Sequence, residues 1–320
     1  MTIAVLGAGA FGTALAIALA QDGRQVTLWG RNAEAVTQMQ STRRSTHLAD
    51  ALLPEPLVVS DDLEAACAAQ VLILATPAQT LPTLLGQITS TLTGKPVVAA
   101  CKGLDLRSWR GPSATIAAEK PGAVPLILTG PSFAADIASG LPTALTLACT
   151  EDAVCADVQR LLSTRTLRLY RSDDPVGAEL GGALKNVIAI ACGACIGVGL
   201  GDSARAALMT RGFAEMQRLA RAFGAKPLTL MGLSGLGDLA LTCTSPLSRN
   251  YRLGLLLGRG EAADPSVTVE GASTARAVTA LAADRHLDLP ICAAVTAILD
   301  QRLSVAEALQ SLLSRPLKEE

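Results

Sequence analysis

Aromatic residues are almost missing from this 320-residue chain: two Trp, two Tyr and four Phe make up 2% of it, while half of its residues are hydrophobic. Its cores must therefore be built from Ala, Leu, Val and Ile, which suits close helix packing and parallel sheets. Histidine is nearly absent as well, with only His47 and His286, which leaves little from which to build a metal centre; none is expected. Net charge is missing too. Twenty-seven basic residues against 28 acidic ones leave −1, which offers no broad field for nucleic acid or a membrane surface, so any phosphate recognition must be local. The eight cysteines are scattered through apolar runs rather than clustered as in a secreted disulfide scaffold, and point to a reducing cytoplasm. Cys192 and Cys195 form a CxxC inside an Ala/Gly/Ile stretch with no second pair, a pattern that reads as helix packing.

What is present falls into two halves. The apolar stretch over residues 3–20 lacks a basic leader and is broken by Gly7, Gly9 and Gly12, so it reads as strand, turn and helix rather than a signal peptide; no membrane insertion is expected. Short β-rich runs at 3–6, 26–29, 71–75, 97–100, 126–129 and 144–148 alternate with helical stretches. Such alternation predicts a doubly wound, Rossmann-type parallel sheet with right-handed crossovers. After Asp173 the strand-like runs stop, and Ala/Leu-rich segments at 177–194, 203–223, 274–283 and 291–302 predict an all-helical second half. Asp173, Asp174 and Pro175 suit a helix start, so the expected domains are 1–174, binding a dinucleotide, and 175–320, carrying substrate and catalysis.

Gly7-Ala8-Gly9-Ala10-Phe11-Gly12 is a GxGxxG after a predicted strand and before a helix expected from Thr13. The glycines serve a tight turn, close approach to a pyrophosphate and helix-on-strand packing, while the helix start offers amide donors. An ordinary glycine-rich turn is the bland alternative. Where a strict NAD enzyme has an acidic residue after the second strand, this chain has Arg31, which can pair with a 2′-phosphate or lie over the adenine; NADP or NAD is the expected cofactor.

Lysine is scarce, six residues in all, and two lie where a solvated lysine would not be placed. Lys102 ends the apolar run over 97–101, and Lys185 sits inside an apolar helical stretch. Burying an ammonium is costly unless it is paired, so Lys185 is either a functional amine or one half of an ion pair with Glu179 or Asp238. Gly130 and Ser132 follow the strand at 126–129, and Ser248, Arg249 and Asn250 precede another apolar helical run, where together they form an anion site. A reductase acting on a carboxylate and a non-catalytic dinucleotide sensor share the first half of this pattern; the anion site and Lys185 argue against them.

These residues lie in VLGAGAFGTALA from Val5, CKGL from Cys101, GPSFA from Gly130, ELGGALKNVIAIACG from Glu179, GLGD from Gly199, TRGFAEM from Thr210, GLSGLGDLALTCTSPLSRNYRLG from Gly232 and VEG from Val269. Over nearly its whole length the chain thus resembles the NAD(P)-dependent glycerol-3-phosphate dehydrogenases. The resemblance implies interconversion of glycerol 3-phosphate and dihydroxyacetone phosphate, feeding glycerophospholipid synthesis, with Lys185 as proton acceptor. It implies Ala10, Phe11, Arg31, Lys102, Ala134, Arg249, Val269 and Glu270 at the cofactor beside Gly7, Gly9 and Gly12. Around the phosphorylated substrate it implies Lys102, Gly130, Ser132, Lys185, Asn186, Asp238, Ser248, Arg249 and Asn250. His47 stands where the family often has an aromatic residue, and Ser203 where Asn is expected. The apolar helices of the second half make a homodimer the expected assembly.

Overall fold

A computed structural model of the chain describes residues 1–264, 267 and 269–316, with Ala49 described by its backbone only. The chain forms two compact units, Met1–Lys102 with Arg110–Glu179, and Gly103–Trp109 with Leu180–Glu320.

In the first unit the strands are β1 (Thr2–Leu6), β2 (Gln25–Trp29), β3 (Arg44–Ser45), β4 (Leu48–Leu52), β5 (Val58–Ser60), β6 (Val71–Leu74), β7 (Pro96–Ala99), β8 (Val124–Thr129), β9 (Thr143–Ala148) and β10 (Leu167–Ser172). Eight of them form one sheet in the order β10-β9-β8-β7-β6-β1-β2-β5, and β3 pairs with β4 in a separate hairpin. Pairing is parallel except between β8 and β9. The helices between the strands are α1 (Ala10–Gln21), α2 (Ala33–Thr42), α3 (Leu63–Cys67), α4 (Leu81–Gln87), α5 (Pro112–Glu119), α6 (Ala134–Ala138) and α7 (Asp152–Leu162).

Both faces of the sheet are covered, as a doubly wound fold requires. Alternate residues of a strand point to opposite faces: Ile3 and Val5 join a core with α1, while Ala4 and Leu6 join another with Leu81, Leu84, Leu85 and Ile116. α1 is buried from Gly12 to Ala20. Its alternating alanines let it pack closely on the sheet and on α6.

All six strands expected from the sequence form, and three pieces escape that reading. β10 alternates Leu and Arg at a half-buried edge, β5 has three residues, and the β3–β4 hairpin carries no long apolar run. An all-parallel sheet is also too simple. The link from β8 to β9 contains only α6, five residues or about 8 Å long, against a six-residue strand of about 20 Å. β9 pairs antiparallel to β8, with Ile127 opposite Ala148 and Thr129 opposite Thr146.

Among the described residues every regular element of the second unit is helical: it takes up α8 (Pro175–Gly197) from Leu180, then α9 (Gly201–Ala222), α10 (Pro227–Met231), a π-helical turn (Leu233–Gly237), α11 (Asp238–Thr244), α12 (Arg249–Arg259), α13 (Glu270–Asp284), α14 (Pro290–Leu299) and α15 (Val305–Leu313). α8 starts as its sequence suggests, with Pro175 at the first position and Asp174 Oδ1 accepting from the Gly177 amide at 2.8 Å. α8 is long and apolar enough to cross a membrane, which the sequence reading did not flag, but 83% of its most apolar window is buried in the structure.

α8 and α12 touch backbone to backbone. A Cβ on Gly193 would lie 2.1 Å from the Tyr251 carbonyl oxygen, one on Gly254 2.0 Å from that of Ile190, and one on Gly258 2.4 Å from that of Ala194. Two GxxxG faces thus replace the large side chains the composition withholds. Cys192 and Cys195 are buried in α8 as free thiols, as are the other six cysteines elsewhere in the chain.

Candidate functional site

The first unit places the glycine-rich turn where strand order reverses. From β1 the chain runs to β2 and β5 on one side, then returns to β6 on the other; open α/β sheets bind ligands beyond the strand ends at such a point. Gly7 has φ +127°, and a Cβ there would lie 2.8 Å from the Ala75 carbonyl. A Cβ on Gly12 would lie 2.0 Å from the Gly7 oxygen, so only glycine lets α1 sit on the turn. Beside Gly9, the cap of α1, there is open space instead. The three glycines therefore supply tight turn, open approach and close packing. α1 begins at Ala10, three residues before the expected Thr13, so Ala10 and Phe11 form its first turn and the amides there point toward any bound anion.

A cavity of about 330 Å³ opens over this turn, lined among others by Gly7, Gly9, Arg31, Thr76 and His47. Arg31 is exposed at the end of β2, next to Asn32, whose Oδ1 caps α2 by accepting from the Ala35 amide at 3.0 Å. Thr76 is a residue the sequence reading missed. It lies two residues after the end of β6, and its buried Oγ1 has no hydrogen-bond partner among the described residues. A buried hydroxyl rarely goes unpaired unless a ligand or water completes it.

Lys102, Gly130 and Ser132 come together at the carboxyl ends of β7 and β8. The Gly130 carbonyl accepts from Lys102 Nζ at 3.4 Å and from Ser132 Oγ at 3.1 Å. Gly130 has φ +146° and packs on Leu145. Ala134 opens α6 just beyond, and the Thr129 hydroxyl is the second buried one without a partner among the described residues.

In the second unit Lys185 is buried in α8 and its ammonium is ion-paired with Asp238, which is wholly buried at the start of α11. Lys185 Nζ also donates to Thr242 Oγ1 at 2.8 Å, and Thr242 Oγ1 in turn lies 3.3 Å from Asp238 Oδ1. Of the two carboxylates considered for Lys185, Asp238 is the partner. Glu179 instead accepts from the amide and hydroxyl of Ser113, and burial pushes its carboxyl up to about 7. Thr242 is a second residue the sequence reading missed; it stands four after Asp238, one turn along the same helix face. The π-helical turn just before Asp238 shifts the helical register at this point, as such turns often do at functional sites.

Ser248 caps α12 by accepting from the Tyr251 amide at 3.2 Å. Arg249 is exposed at the first helical position, and its guanidinium has no partner among the described residues. Asn250 turns inward: its Nδ2 donates to Asn186 Oδ1 and its Oδ1 accepts from the Gly271 amide, both at 2.9 Å. Asn250 is thus a strut joining α8, α12 and the first turn of α13, where Val269 and Glu270 lie. Gly271 has no room for a side chain, since a Cβ would meet Asn250 Oδ1 at 2.5 Å.

Residues 2–155 match the N-terminal model, and 174–310 the C-terminal model, of NAD-dependent glycerol-3-phosphate dehydrogenase. The chain belongs to this family. It is 59% identical to the glycerol-3-phosphate dehydrogenase [NAD(P)+] of Ruegeria sp. over the full length of both chains, and 57% identical to that of Cereibacter sphaeroides over 99% of this chain and all of that one. The crystal structure of glycerol-3-phosphate dehydrogenase from Coxiella burnetii superposes with a TM-score of 0.92 at 36% identity, covering 98% of this chain and 99% of that one. As a glycerol-3-phosphate dehydrogenase family member, the chain carries the family's Rossmann-type sheet and helical C-terminal region.

Proposed function

We propose that this glycerol-3-phosphate dehydrogenase family member interconverts glycerol 3-phosphate and dihydroxyacetone phosphate with NAD(P), and that Lys185 carries the proton. The buried Lys185–Asp238–Thr242 group supports this most directly. An ammonium inside an apolar helix is costly unless paired, and one held from two sides is pre-oriented for proton transfer. When bound, the nicotinamide accepts or gives the hydride at the carbon that bears the oxygen. In reduction Lys185 gives its proton to the forming alkoxide, and in oxidation the neutral amine takes the hydroxyl proton. Asp238 and Thr242 hold the amine and stabilise it whenever it is charged.

On this reading Gly7, Gly9, Gly12 and the first turn of α1 with Ala10 and Phe11 receive the pyrophosphate, and Arg31 the adenosine end. Lys102, Ala134, Val269 and Glu270 contribute further cofactor contacts. Gly130, Ser132, Asn186 and Ser248 position the substrate together with Lys102, Lys185 and Asp238, and Arg249 supplies a guanidinium for its phosphate. Asn250 acts chiefly through the strut it forms. Residues 1–174 are assigned to the dinucleotide and 175–320 to substrate and catalysis. A homodimer fits the large exposed apolar side chains of the second unit, Leu228 at 83% and Met231 at 53% exposure, and a cytoplasmic setting fits eight free thiols.

The test is Lys185→Ala. Turnover is expected to fall by about a hundredfold to ten-thousandfold, the range of general acid-base catalysis, with NADPH affinity nearly unchanged. Near-normal turnover would remove Lys185 from the mechanism.

A further inference from the structure

The hairpin between α2 and β5 faces the dinucleotide cavity, and its two arginines do different things. Arg43 takes a left-handed conformation with φ 53°. Its guanidinium donates to the carbonyls of Pro54 and, at 3.0 Å, Leu57, while its own carbonyl accepts from the Leu53 amide at 2.9 Å. That residue pins the hairpin to the loop that follows it. Arg44, the next residue, is exposed on β3 and lines the same cavity as Arg31, as do Thr46 and His47 from the same hairpin.

Among the described residues, no aspartate or glutamate lines that cavity. A site built to hold the two ribose hydroxyls of NAD offers a carboxylate acceptor after the second strand. Here Arg31 stands at that position, and two arginines and a histidine are among the residues lining the cavity, so the cavity suits an anion. A phosphate monoester presents about two negative charges and three strong acceptor oxygens, the geometry that forked guanidinium donors match.

We propose that Arg44 is a specificity-determining residue which, with Arg31, clamps the 2′-phosphate of NADP(H), so that the enzyme prefers NADPH to NADH. The proposal rests on the dehydrogenase reading above. The hairpin presents Arg44 from outside the Rossmann sheet, so the preference is set by the β3–β4 insertion as well as by the end of β2.

The experiment compares wild type, Arg44→Ala and Arg44→Lys in the full chain. Specificity constants for NADPH and NADH are measured with dihydroxyacetone phosphate, and equilibrium affinities for adenosine 2′,5′-bisphosphate and 5′-AMP without any turnover. Arg44→Ala is expected to lower the NADPH constant about tenfold to a hundredfold, the worth of a charge-assisted hydrogen bond or two, and to leave the NADH constant within about threefold. Affinity for the bisphosphate falls by the same factor, 5′-AMP binding does not, and Arg44→Lys recovers part of the loss. A wild type that favours NADH, an unchanged NADPH/NADH ratio in Arg44→Ala, or an equal loss of both cofactors overturns the proposal; the last outcome places Arg44 on the pyrophosphate. If the wild type binds neither nucleotide, the dehydrogenase reading fails with it, whereas normal turnover with an unchanged ratio sinks the clamp alone.

Discussion

Arg249 and Asn250 are neighbours in sequence with opposite roles, which shows how little a motif says about single side chains. Asn250 spends its amide on Asn186 and Gly271, whereas Arg249 stays exposed with no partner among the described residues, at the start of an 11-residue helix capped by Ser248. Amides and guanidinium at one helix start favour a dianion. Arg249→Ala is therefore expected to reduce discrimination between dihydroxyacetone phosphate and unphosphorylated dihydroxyacetone by about tenfold to a hundredfold, from hydrogen bonds worth roughly 1.5–3 kcal/mol each. Turnover should fall with affinity, because phosphate binding also positions the reacting carbon. An unaltered ratio of the two specificity constants would move the phosphate elsewhere.

At the level of elements, α8 and α12 hold Lys185, proposed as the proton carrier, and the helix start proposed to receive the substrate phosphate in fixed relation through their glycine faces. A methyl group on Gly254 would stand 2.0 Å from the Ile190 carbonyl oxygen, with backbone rather than a flexible side chain opposing it. Overpacking of this kind costs about 1–3 kcal/mol or more. Gly254→Ala should lower the melting temperature and reduce turnover together. Gly86→Ala is the control: a Cβ there meets nothing within 4 Å, and in α4 alanine should stabilise by up to about 1 kcal/mol. Equal melting temperatures for Gly254→Ala and wild type would mean that the two helices can part without cost.

For the whole molecule, stability should vary with pH through Glu179. Burial raises its carboxyl from 4.5 to about 7, and the hydrogen bonds from Ser113 only partly offset this. Between those values the folded chain binds more protons than the unfolded one. Its stability therefore falls as pH rises from 4.5 to 7 and levels off above, an effect of about 3 kcal/mol. Glu215, also raised by burial, contributes in the same sense. Glu179→Gln keeps an acceptor for Ser113 but cannot ionise, so its melting temperature should gain on that of wild type as pH is raised from 5 to 8. The Glu215 contribution cancels in this comparison. A constant difference across that range would show that Glu179 does not titrate there.

Local order was legible in the sequence because it is written in short-range patterns. The period of the apolar runs gave the six central strands and the long helices, the glycine spacing gave the turn at residues 7–12, and an amine among apolar neighbours marked Lys185. Tertiary structure decided whatever depends on residues far apart in the chain. It chose Asp238 over Glu179 as the partner of Lys185, 53 residues away, and brought in Thr242. It also committed Asn250 to a strut across three helices and paired β9 antiparallel to β8. Arg44 and Thr76 became candidates only when the folded chain put them on the wall of the same cavity. A sequence records which groups cannot tolerate burial alone; which partner meets each of them is fixed by how the elements pack.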